Sequence, residues 1–145
     1  MAYPEPLLIP MRADITQYGV QETRTPEELD AAIASHGTVL VVTNSVCGCA
    51  ASKARPAVGL ALQHANRPDS AVTVFAGGDV EAVQHLRDKH LAGAGVPPSS
   101  PSFALFRDGK PVWAMHRFQI ESRQAPDIAA DITKAFDQFC TPQSA

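Results

Sequence analysis

The run TVLVVTN, Thr38 to Asn44, constrains the fold of this chain more than any other stretch. It is a continuous β-branched and apolar segment of strand length. A strand with one wet face alternates in polarity, whereas an unbroken run is expected of a strand buried on both faces. Such a strand needs a sheet covered by helices above and below.

The flanking sequence supplies them. MRADITQYG sets Met11, Ile15 and Tyr18 at helical spacing, with Gly19 as a stop. VQETR reads as a short strand. TPEELDAAIAS opens with Thr25 as N-cap, Pro26 at the first helical position and Glu28 completing a capping box. Beyond the central run, Ala50, Ala54, Ala57, Val58, Ala61, Leu62 and Ala65 mark one helical face, which Pro56 should kink. AVTVF is a second buried strand. Asp79 then reads as the N-cap of a helix with Val80, Val83 and Leu86 inward. After the loop AGAGVPPSSP, SFALFRDGKPVWAMH reads as two strands joined at Asp108-Gly109. Ile128, Ile132, Ala135, Phe136 and Phe139 line a C-terminal helix.

The order is a helix followed by β-α-β-α-β-α-β-β-α, an α/β chain with a central mixed sheet between helical layers. No repeat, low-complexity tract or linker interrupts it, so residues 1–145 read as a single domain. A net charge of −3 with dispersed basic residues argues against nucleic acid or an anionic membrane as partner. No apolar segment reaches the roughly 20 residues of a membrane-spanning helix. MAYPEPLLIPM lacks the basic flank of a signal peptide, so a cytoplasmic location is the default expectation.

The central strand runs directly into NSVCGCA, where Cys47 and Cys49 are separated by Gly48. In a reducing compartment, paired cysteines are more often catalytic, redox-active or metal-binding than structural. A helix start favours a thiolate through its free N–H groups and dipole. Cys47, outside the first turn, is the better nucleophile, and Cys49 the thiol that displaces a product trapped on it. Closing so small a ring requires a pinched backbone, which Gly48 allows, so a strained and relatively oxidising bridge is expected.

Other readings stay open with less support. The pair could be buried small hydrophobes. As half a metal site it lacks partners, because His64, His85, His90 and His116 are scattered along the chain and Cys140 is alone. No metal is therefore expected. Cys140 reads as a packed or partly exposed thiol, with a third redox role or an intermolecular bridge as the alternative. His36 and Asp79 read as solvated surface. Ser100-Pro101 precedes the strand that this order of elements places beside the cysteine-bearing one. Its loop should lie near Cys47, and a cis peptide there would offer backbone groups to a substrate chain and keep metals from the thiols.

Together these features resemble the thioredoxin fold, a three-layer α/β/α sandwich. Within it, NSVCGCA, the opening MAYPEPLLIPMR and the ending AFDQFC look like the bacilliredoxin family. The resemblance implies a thiol-disulfide oxidoreductase of bacterial cytosol that removes bacillithiol from S-bacillithiolated proteins under oxidative stress. Cys47 would take up bacillithiol and Cys49 would resolve the adduct, unless free bacillithiol attacks it directly. Asn44, Ser45, Gly48, Ser100 and Pro101 would form the substrate-binding surround, with Pro101 at the fold's cis-proline position. The implied partners are S-thiolated cytosolic proteins and a low-molecular-weight thiol, bacillithiol serving as co-substrate with no bound cofactor. The Trp-Cys-Gly-Pro-Cys pattern of thioredoxin is absent, which weighs against coupling to thioredoxin reductase. A general protein disulfide isomerase or reductase, and a non-catalytic redox-sensing module, are the alternatives.

Overall fold

The computed structural model describes residues 2–143 except residue 36, so the surface reading of His36 lies outside the described residues. Strand β2 (Thr38–Asn44) is buried along its whole length, as its unbroken apolar run requires. Its odd and even side chains feed two separate cores. Leu40 and Val42 pack with Ile15, Val58, Phe103, Ile132 and Phe136, while Val39 and Val41 pack with Leu29, Ile33, Val74, Leu86 and Phe106. Each fully buried aliphatic side chain contributes about 1.5–3 kcal/mol by leaving water. Helix then sheet then helix is the arrangement that buries both faces.

The five-stranded sheet has the order β1-β4-β2-β5-β6, with β1 (Gln21–Glu22), β4 (Ser70–Phe75), β5 (Ser102–Arg107) and β6 (Lys110–Met115) around β2. β4 runs parallel to β1 and to β2, whereas β5 is antiparallel to β2 and to β6. The C-terminal end of β6 therefore returns to the end of the sheet where β2 finishes. Thr43 pairs with Ser102, and Phe103 with Met115, at that end. Helices α1 (Glu5–Thr16), α3 (Arg55–Ala61) and α6 (Ala125–Phe139) supply side chains to one core, and α2 (Pro26–Ala34) and α4 (Val80–His85) to the other. A short α5 (Arg117–Glu121) and a two-stranded sheet of β3 (Asn66–Arg67) with β7 (Thr141–Pro142) complete the chain.

Local chemistry explains several boundaries. The Thr25 hydroxyl accepts from the Glu28 N–H, and the Glu28 carboxylate accepts from the Arg24 N–H, which closes the start of α2. Asp108 and Gly109 both have positive φ, 50° and 84°, as a tight hairpin turn demands.

Three expectations are corrected. The first helix starts at Glu5, well before Met11, because Pro6 sits in the first turn, where its missing N–H costs nothing. Leu8 is fully buried and draws those turns onto the core. Asp79 occupies the N-cap position of α4, but its side chain does not cap the helix. Its carboxylate instead accepts from Arg12 Nη1 and Nη2 at 3.0 and 2.9 Å and from the Phe75 N–H at 3.0 Å, so it is buried, not solvated. Val80, expected inward, is 49% exposed, and Ala82 takes its place in the core.

Candidate active site

β2 ends at Asn44, and the chain turns through Ser45 and Val46 before the helix that begins at the cysteines. Three hydrogen bonds shape this turn. Asn44 Oδ1 accepts from the Ser45 N–H at 2.9 Å, Asn44 Nδ2 donates to the Met11 carbonyl at 3.2 Å, and Ser45 Oγ accepts from the Cys47 N–H at 3.1 Å. Asn44, expected to contact substrate, is 1% exposed, and its amide tethers α1 and the turn to the strand end. Its contribution is to place Cys47. Gly48 is exposed, with open space where a Cβ would stand.

The two thiols are free and half-buried, with their Sγ atoms 2.7 Å apart. The sulfurs are thus in direct contact, and the surroundings decide which of them keeps its proton more readily. Cys47 is pulled below the usual thiol range, first by the Cys49 thiol, then by the Cys49 and Ala50 N–H groups and the Arg117 guanidinium, against the opposing effect of burial. Cys49 is pushed up, first by burial and then by Cys47 beside it. Of the two, Cys47 therefore gives up its proton more readily, and a thiolate there accepts from the Cys49 S–H.

Arg117 was not expected in the site. Its Nη2 donates to Cys47 Sγ at 3.3 Å, its Nη1 donates to the Ser100 carbonyl at 3.5 Å, and Glu121 holds its Nε at 3.2 Å. The signal was in the topology: β6 returns to the cysteine end of the sheet, so the residues after Met115 must emerge beside Cys47. The Ser100-Pro101 peptide is cis, and Pro101 is buried. Ser100 shares with Ser45, Cys47, Arg87 and Arg117 an open groove of about 480 Å³, so the loop does lie against the nucleophile. Two guanidinium groups thus border the groove.

The helix after the cysteines does not begin in α-helical register. Residues Ala50–Ala54 form a π-helical turn, in which the Arg55 N–H donates to the Ala50 carbonyl, and α3 follows with Pro56 in its first turn. Where a kink at Pro56 was expected, the irregularity is a change of helical register ahead of it. Lys53 Nζ donates to the Glu121 carbonyl, tying this turn to the helix that carries Arg117.

Cys140 lies at the other end of the sheet. Its thiol is raised by burial and faces Thr38, Asp69 and Arg107. Thr38 and Asn44 bound a seven-residue strand, so about 20 Å separates Cys140 from the pair, too far for direct exchange. The histidines are less scattered than the sequence suggested. His64 pairs with Asp137 at 2.7 Å, but His85 and His90 meet on a single carboxylate, Asp30.

Comparison with known proteins agrees with this geometry. A family model described as "Disulphide isomerase" matches residues 3–140. A bacilliredoxin of Salinibacter ruber is 48% identical, over 99% of this chain and 84% of its own length. A bacilliredoxin of Koribacter versatilis is 48% identical over 95% and 94%. One from Geobacillus kaustophilus is 46% identical over 89% and 87%. Among solved structures, mitochondrial thioredoxin 3 from Saccharomyces cerevisiae, in its oxidized form, superposes with a TM-score of 0.56 at 14% identity, covering 84% of this chain and 98% of that one. Trxlp from Edwardsiella tarda superposes with a TM-score of 0.53 at 23% identity, over 77% and 97%. At these identities the structural matches speak to the fold, which is that of thioredoxin.

Proposed function

The chain belongs to the bacilliredoxin family and is a thiol-disulfide oxidoreductase, and from that premise we propose that it removes bacillithiol from S-bacillithiolated cytosolic proteins. The observation that supports this most is the asymmetric sulfur pair beside the groove: Cys47, where the surroundings favour the thiolate, and Cys49 in contact behind it, where they favour the thiol.

The chemistry follows from that asymmetry. The Cys47 thiolate attacks the bacillithiol sulfur of the mixed disulfide. The S–S bond breaks, and its electron pair leaves on the protein sulfur, which takes up a proton. Cys47 is then uncharged, so one of the influences that kept Cys49 protonated disappears. Cys49 loses its proton more readily, attacks Cys47 Sγ and expels bacillithiol as a thiolate. The products are a reduced protein, a free low-molecular-weight thiol and a Cys47–Cys49 disulfide. A thiol reductant returns the disulfide to the dithiol, or a second bacillithiol intercepts the Cys47 adduct first. No bound cofactor enters either route. Ser45 positions the Cys47 N–H, and Ser100, set by the cis peptide to the buried Pro101, lines the groove where an incoming chain would lie. Arg87 and Arg117 suit a thiol that carries carboxylates. Cytosolic proteins bearing S-thiolated cysteines are the proposed partners, in a compartment where the resting enzyme stays a dithiol.

The family description favours a second reading, isomerisation of protein disulfides by the same Cys47 thiolate. Two assays separate them. Release of bacillithiol from an S-bacillithiolated protein, in the presence of a thiol reductant, should turn over with the wild type and stop with Cys47→Ser. Reactivation of a protein with scrambled disulfides should be slow by comparison. Fast reactivation without bacillithiol release overturns the de-bacillithiolation proposal in favour of the isomerase, and inactivity in both assays favours a sensing module.

A further inference from the structure

Away from the thiols, the structure brings together two imidazoles and a carboxylate that chain position keeps apart. His85 Nε2 lies 2.9 Å and His90 Nε2 2.7 Å from the same oxygen, Oδ1 of Asp30. All three atoms fall within 4.8 Å of one another. We propose that Asp30, His85 and His90 bind a borderline divalent first-row cation, Zn2+ in the first instance, at a site independent of the cysteine pair.

Helical register creates the convergence. In an α-helix of 3.6 residues per turn, positions five apart point about 140° away from each other. Leu86–Leu91 instead forms a π-helical segment, closed by the Ala92 N–H on the Arg87 carbonyl, whose wider turn brings residues five apart closer to one face. His85 and His90 therefore face the same side, toward Asp30 on α2. Such wide turns are energetically inferior to α-helix and recur at functional sites.

The donor set suits the ion. Two imidazole nitrogens and one carboxylate oxygen, with a water in the fourth position, match an open tetrahedral zinc site. Metal bonds of 2.0–2.1 Å imply ligand atoms about 3.3 Å apart, so the two N···O contacts must open by only about half an ångström. The rings are already held, since His90 packs edge-on against Phe106 and His85 edge-on against His90, at centroid distances of 6.0 and 5.6 Å. The Asp30 carboxylate is half-buried and presents Oδ1 to both rings, so one oxygen is placed to join them as a ligand. Lys89 Nζ contacts the other oxygen, Oδ2, at 3.0 Å and leaves Oδ1 to the cation. On binding, each neutral ring carries its proton on Nδ1 and gives the Nε2 lone pair to the metal, so the two N–H···O bonds to Asp30 are replaced by metal–ligand bonds. The ion would then fasten α2 to α4.

The test is a calorimetric titration of the untagged, full-length Cys47→Ser/Cys49→Ser/Cys140→Ser variant with ZnCl2, which removes thiolate ligation from the reading. Iodoacetamide-capped wild type serves in its place if that variant does not fold. One equivalent should bind with a Kd of about 10 μM or tighter, and the melting temperature should rise with it. Adding His90→Gln should weaken binding at least tenfold. Adding Lys89→Ala, which keeps all three ligands and removes the neighbouring ammonium, should tighten it severalfold. A folded, thiol-blocked protein that takes up no Zn2+, or whose affinity His90→Gln leaves unchanged, overturns the site.

Discussion

Arg117 reaches Cys47 across 70 positions of chain, its Nη2 donating to Sγ at 3.3 Å. The guanidinium is exposed, so its hold on the thiolate is partly screened by water and salt. Arg117→Met should shift the midpoint of Cys47 alkylation toward higher pH, because the thiolate loses a cation while the thiol loses little. At neutral pH and low ionic strength the iodoacetamide rate should fall severalfold. The gap between variant and wild type should shrink as salt is added. A rate independent of Arg117 at low salt contradicts this part of the account.

The Cys49 thiol is the largest influence on Cys47. Cys47 has its lowered midpoint because Cys49 donates to the charged form, so Cys49→Ala must raise that midpoint, and by more than Arg117→Met does. The pH profile of Cys47 alkylation in the two variants measures both shifts on one scale. The reverse order would mean that the guanidinium, not the second thiol, governs the nucleophile.

Cys140 is raised by burial and sits at the far end of β2 from the pair. Cys140→Ser should leave both the capture and the resolution of a mixed disulfide within about twofold of wild type, as expected of distant, uncoupled sites. Peptide mapping after a brief alkylation at neutral pH should find label on Cys47 well before Cys140.

The Arg12–Asp79 ion pair is closed to solvent, with side-chain exposures of 7% and 3%. Asp79→Ala removes the most buried partner of Arg12 and should cost about 3 kcal/mol in urea unfolding, the low end for a buried pair because Glu5 and Glu22 stay on the guanidinium. The double variant Arg12→Met/Asp79→Leu should recover a large part of that loss. A single-variant cost below about 1 kcal/mol, the range of surface pairs, contradicts the burial argument.

What the sequence revealed divides along physical lines. β2, the Thr25 and Glu28 cap and the Asp108-Gly109 hairpin are governed by local chemistry or by an unbroken run, and they stand where the residues suggest. The cysteine pair stands at the end of β2 for the same reason: strand, turn and helix follow one another in the chain. Features made by tertiary contact were not legible. Pro6 disguised the start of α1, which Leu8 secures through a core that no local pattern describes. Asp79 has the residue type of a cap, yet Arg12 claims it from another helix. Asn44 looked like a substrate contact but serves the turn. His85 and His90 are aligned by a change of helical register with no composition signature, and Arg117 arrives through the return of β6.

Uptake of bacillithiol by Cys47 can be seen directly with Cys49→Ala, mixed at mildly alkaline pH with a bacillithiolated and, separately, a glutathionylated model protein, and read by intact-mass spectrometry. The variant should gain one bacillithiol on Cys47 as the model protein gains one free thiol. An adduct formed from the glutathionylated protein alone contradicts the proposed thiol. No adduct from either, on a Cys47 that still reacts with iodoacetamide, contradicts the mechanism itself.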